Sequence, residues 1–176
     1  GDSSNKMTYT INENTGLITF TGDSVQVECL DNLNYTLSIR GSNNIINGGS
    51  LADKITVESG SNNVVNGNAG NDILISDSEN NSLLGGANKD TITVNATTNL
   101  EINGGDGDDT LNIKSSDNSQ VFAGSGNDKL VISGANNTIE AQSGNNNITI
   151  TGAGNIVNAD NGNNKVIVNN ALNPVE

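Results

Sequence analysis

Aspartates recur along this chain at a spacing that suits a hard cation. Asp53, Asp72, Asp90, Asp109 and Asp128 follow one another at steps of 18 or 19 residues, and Asn146 and Asn164 extend the series. The central members each close a small-residue run: Gly67 to Asp72, Gly85 to Asp90, Gly104 to Asp109 and Ala123 to Asp128. A calcium ion takes about six to eight oxygens, from carboxylates and from backbone carbonyls, and glycine allows a turn the conformations that bring carbonyls inward. The candidate ligands are therefore the carboxylates of Asp72, Asp90, Asp109 and Asp128, with the backbone at Gly105, Gly107, Gly124 and Gly126. Asp53 is a doubtful member, because Leu51 stands where the other runs have Gly or Asn, and a β-carbon is costly in the left-handed region. Asn146 and Asn164 lack the charge, so no strong site is expected there.

Positioning such a series requires a repeating element. Two residues after each marker stand Ile55, Leu74, Ile92, Leu111, Leu130, Ile148 and Val166, and four after it Val57, Ser76, Val94, Ile113, Ile132, Ile150 and Val168. This period of two predicts a strand with one face inward. Seven residues before the marker, Ile46, Val65, Leu83, Ile102, Val121, Ile139 and Val157 form a second inward column, while only Gly or Ala recurs five before it. One unit cannot cover its own apolar face, so units must stack. The expected fold is all-β, a right-handed parallel β-solenoid of about seven coils of 18 or 19 residues. Its expected divisions are an N-terminal β-strand cap at 1–40, the solenoid at 41–170 and a tail at 171–176. Within the cap, Met7 to Ile11 and Leu17 to Thr21 read as strands joined by a turn at Asn12 to Gly16, grading into the coils. Pro174, near the end of the tail, would block further strand pairing.

The opposite turn carries asparagine: Asn43-Asn44, Asn62-Asn63, Asn80-Asn81, Asn99, Asn118 and Asn136-Asn137. Asparagine tolerates left-handed backbone and its amide can bond to the coils above and below, which gives this column a structural role. The aspartate column is different. Coils about 4.8 Å apart would set neighbouring carboxylates against each other by roughly 3 to 4 kcal/mol at an effective dielectric near 20. Order in that column needs a cation, a proton, or side chains turned outward. A dry, metal-free β-helix remains the alternative.

Composition excludes several classes. Hydrophobic residues make up 32% and aromatics 2%, too little for a thick globular core but enough for a thin rod. The net charge of −13 argues against nucleic acid and anionic membrane surfaces and favours cations. Cys29 is the single cysteine, so no internal disulfide forms, and no stretch has the length and apolarity of a membrane-spanning helix. Gly1 to Lys6 reads as a polar start. Catalysis finds no footing, since there is no histidine, the seven Lys and Arg are scattered, and no insertion builds a cleft.

At Gly104 to Asn112 the sequence matches the nonapeptide G-G-x-G-x-D-x-L-x throughout; Ala123 to Val131 departs from it at the first position and Gly67 to Ile75 at the second. In this the chain resembles the repeats-in-toxin (RTX) family of calcium-binding β-rolls, over residues 42 to 170, with one motif per coil. The resemblance implies a calcium-binding structural or adhesion-type module of a secreted or cell-surface bacterial protein. Its implied partners are calcium ions, with surface polysaccharide or another protein, and end-to-end self-association as further expectations. A carbohydrate-binding module of a polysaccharide-modifying or adhesive protein is the alternative function. Phe122 is the one aromatic at an outward solenoid position, which gives that alternative little to stack a sugar on.

Overall fold

A computed structural model describes residues 8–12, 16–31, 33–95 and 98–169. The alternating Ile, Leu, Val and Thr segments all become short strands, as β-branched residues on a half-buried pleated surface do. Among the described residues there is no helix. The strands fall into two sheets, one of ten strands and one of eight, and from Leu17 onward successive strands of the chain alternate between them. Each coil thus contributes one strand to each sheet, and every pairing from Leu17 onward is parallel. The chain is a parallel β-solenoid.

The register is the one the columns demand. Leu74 pairs with Ile92, Ile92 with Leu111, Leu111 with Leu130 and Leu130 with Ile148. On the other sheet, Leu83, Ile102, Val121 and Ile139 stack in one row. All of these are buried, and together with Ile113, Ile132 and their neighbours they form one continuous core. A coil added to either side of another removes these side chains from water, which is why no coil stands alone. The last coil shows the converse. Val166 and Val168 occupy the inward columns but are 39% and 61% exposed, because no described coil covers them.

The coil pattern starts earlier than residue 41. Leu17–Thr21 already pairs in parallel with Thr36–Arg40, and Gln26–Glu28 with Ile45–Asn47. Thr8–Asn12 adds to Leu17–Thr21 in the antiparallel sense, so this edge of the larger sheet ends in a hairpin. Residues 13–15 of the expected turn, the polar start with Met7, and the tail with Pro174 lie outside the described residues.

The asparagine turn divides its labour within each pair. Asn43, Asn62, Asn80, Asn99, Asn118 and Asn136 have φ between 53° and 60°, the left-handed corner that asparagine tolerates. The residue that follows points inward. Asn44, Asn63 and Asn137 each accept a backbone N–H from the preceding coil through the amide oxygen and donate through the amide nitrogen to a backbone carbonyl. This column is neutral and internally satisfied. Leu100, buried at the same place in its coil, breaks the run.

Candidate metal centre

The marker aspartates also point inward. Asp53, Asp72, Asp90, Asp109 and Asp128 are all 2% exposed or less, as is Asn146. Their first carboxylate oxygens form a ladder, in which Asp72 Oδ1 accepts the N–H of Asp53, Asp90 Oδ1 that of Asp72, Asp109 Oδ1 that of Asp90, and Asp128 Oδ1 that of Asp109, at 2.7 to 2.8 Å. Asn146 and Asn164 continue it through their amide oxygens. The outward-pointing option for this column is thereby removed.

The second oxygens separate the coils into two kinds. Oδ2 of Asp72, Asp90, Asp109 and Asp128 is buried and has no hydrogen-bond partner; no other buried side-chain N or O among the described residues shares that condition. In Asn146 and Asn164 the corresponding atom is Nδ2, which donates to the carbonyl five residues earlier, Ala141 and Ala159, at 3.1 Å. Because Oδ1 is fixed in the same way in both kinds of coil, Oδ2 of each aspartate takes the place of that donor. An anionic acceptor cannot replace a donor there without a positive charge or a proton.

Space has been cleared around these oxygens. A β-carbon added at Gly67, Gly85 or Gly104, five residues before the marker, would lie 2.5 to 2.6 Å from Oδ2 of Asp72, Asp90 or Asp109 and 2.3 to 2.4 Å from the carbonyl oxygen of the next coil's equivalent residue. Both coils with an asparagine marker have alanine at this position, and so does the coil of Asp128. The other glycines leave room for the carbonyl of a neighbouring coil. At Gly105, Gly107, Gly124 and Gly126 the φ angles are 102°, 138°, 104° and 133°, and an added β-carbon would lie 1.9 to 2.1 Å from the carbonyl oxygen of Gly86, Asn88, Gly105 or Gly107. The predicted carboxylates and glycines therefore belong to one continuous row of turns. Among the described residues no three His, Cys, Asp or Glu side chains converge on one point. A cation in these turns would rest on one or two carboxylates and on backbone carbonyls, a hard-oxygen donor set that fits calcium.

The turn at Asp53 is built otherwise. Neither Gly49 nor Leu51 has positive φ, whereas the next four turns have it at both corresponding positions. Leucine thus avoids the strain expected of it by changing the turn. In the changed turn, the Gly49 N–H donates to Asp53 Oδ2 at 2.8 Å, so this oxygen is satisfied within its own coil, while Oδ1 accepts the Tyr35 N–H.

Burial without a partner shifts the titration of the central carboxyls. Desolvation raises Asp72 and Asp128 to about 6 and Asp90 to about 7, and raises Asp109 as well, while the N–H bond to Oδ1 opposes the shift in each case. Near pH 6 to 7 the carboxyls of Asp72, Asp90 and Asp128 are poised between binding a proton and binding a cation. The sequence located the four side chains. It did not reveal that one oxygen of each is satisfied and the other orphaned, which depends on which way an Asp in a turn faces.

The family profile of the RTX calcium-binding nonapeptide repeat matches residues 58–92 and 101–112, in four copies. The matched stretches contain the turns of Asp72, Asp90 and Asp109, and these coils fit the RTX-type repeat. No curated protein and no solved structure matches the chain.

Proposed function

We propose that this chain, whose central coils fit the RTX-type repeat, is a calcium-binding structural module that works outside the cell, secreted or on a bacterial surface, as a non-catalytic spacer or adhesion segment. The observation that carries the calcium reading is the row of four buried, unpartnered Oδ2 atoms in turns whose glycines admit the carbonyls of the neighbouring coil. A bound calcium supplies the positive charge that those oxygens lack. With that charge in place the central turns become stiff, and a stiff rod is what a spacer needs. Millimolar extracellular calcium fills even weak sites of this kind, which ties the ligand set to the location. The outer faces of the two sheets are where a surface polysaccharide or a protein partner would be engaged.

The test is a thermal melt of the full chain at pH 7.5, in chelator and in millimolar calcium. Each site adds about 2.7 kcal/mol when free calcium is a hundredfold above its dissociation constant, so calcium should raise the midpoint by several degrees or more. Superimposable curves would leave a metal-free structural β-helix in place of this reading.

A further inference from the structure

The four orphaned oxygens are not scattered along the rod. They occupy consecutive coils, and the coils on both sides of them close without help. On the N-terminal side, Gly49 N–H satisfies Asp53 Oδ2. On the C-terminal side, Nδ2 of Asn146 and Asn164 satisfies the carbonyls of Ala141 and Ala159. On the N-terminal side the difference comes from the changed turn before Asp53, but at Asn146 it does not come from the sign of φ in the turn. Gln142 and Gly144, before Asn146, have positive φ, as Gly105 and Gly107 do before Asp109. It comes from one atom: a donor stands in the Asn146 coil where an orphaned acceptor stands in the Asp109 coil.

We infer that the rod is divided into a central segment that needs a cation to close its turns, marked by Asp72, Asp90, Asp109 and Asp128, and two self-closing ends, in which the Gly49 N–H and the amides of Asn146 and Asn164 do the work of the ion. This division rests on the calcium reading and adds a regulatory consequence to it. In a solenoid, stability is the sum of coil terms and nearest-neighbour interfaces, so the two ends hold their shape when calcium is withdrawn while the middle loosens. Calcium then acts as a switch on the stiffness between two persistent ends, not on folding of the whole chain. The short local contacts of each turn allow such opening to stay confined to part of a repeat structure.

Amide hydrogen exchange of the full chain, read by mass spectrometry in chelator and in millimolar calcium chloride, tests this. Calcium should slow exchange roughly tenfold or more in peptides covering 64–133 and change it less than about twofold in peptides covering 36–47 and 138–158. Asn146→Asp should speed exchange over 138–151 in chelator, with calcium restoring it. Asp90→Asn should make 82–95 insensitive to calcium. Slowing by equal factors along the whole rod would overturn the division but leave calcium binding intact. No response anywhere would overturn both. An unchanged chelator profile for Asn146→Asp would overturn the assignment of its amide as the lock.

Discussion

Replacing Asp90 with Asn isolates the role of one orphaned oxygen. In the wild-type chain Oδ1 accepts the Asp72 N–H and Oδ2 is buried without a partner. The amide keeps the first bond and puts a donor where the second oxygen was, directed at the Gly85 carbonyl as Asn146 is directed at Ala141. Leaving a buried acceptor unsatisfied costs about 1 to 3 kcal/mol. The carboxyl's move from 3.8 to about 7 sets a ceiling of about 4 kcal/mol at 1.36 kcal/mol per pH unit, which solvent near the turn reduces to about half. Asp90→Asn should therefore stabilise the metal-free chain by about 2 kcal/mol at pH 7.5, a rise in melting midpoint of about 4 to 8 °C for a chain of this size. The sign with pH follows from the raised value. The folded state holds the Asp90 proton more tightly than the unfolded state does, so its stabilising effect is complete below the unfolded value near 3.8 and is lost as pH rises through about 7. At pH 5 the wild-type carboxyl is protonated and can donate as the amide does, so the gain should shrink below about 1 kcal/mol. Melts of both proteins in chelator at pH 5 and 7.5 give the comparison. Destabilisation at pH 7.5, or an equal gain at both pH values, would refute the argument.

Other perturbations follow from the same structure. The metal-free wild-type chain should melt higher at pH 5 than at pH 8, because Asp72, Asp90 and Asp128 all titrate near 6 or 7, and saturating calcium should flatten that profile. Leu111→Asp places a charge in the fully buried column and should cost several kcal/mol, whereas Asn112→Asp, one residue outward, should cost less than about 0.5 kcal/mol; chelator-state urea melts separate them. Gly107→Ala forces a β-carbon to within 1.9 Å of the Asn88 carbonyl at a φ of 138°, and calorimetry should show weakened calcium affinity together with a loss of about 2 kcal/mol or more. Asn63→Ala removes the acceptor for the Asn44 N–H and the donor to the Gly41 carbonyl, at about 2 to 3 kcal/mol, with no change in calcium affinity.

Periodicity made most of the fold legible. The columns at Leu111, Ile113 and Ile102 are buried as their spacing requires, because a stacked coil has only one inward direction for each strand position. The start of the coils was harder to see. Tyr35 occupies the marker's place, its N–H bonded to Asp53 Oδ1, and Phe20 pairs with Ile39 in an inward column, so aromatic residues conceal the register that aspartate and leucine announce later. Leu100 was also missed, since an apolar residue among asparagines reads as a loop position. In the aspartate row, residue type and spacing singled out Asp72, Asp90, Asp109 and Asp128, the four whose Oδ2 is buried without a partner. That the Asp53 turn departs from the others was legible from Leu51, yet the form of the departure was not: the turn changes shape and supplies an N–H of its own.

The most direct measurement is an anomalous difference map from crystals grown with calcium. Peaks are expected beside Oδ2 of Asp72, Asp90, Asp109 and Asp128, surrounded by turn carbonyls, and none beside Asp53, Asn146 or Asn164. Peaks confined to the exposed carboxylates of Asp106 and Asp108, or a row of turns with no peak at all, would contradict it.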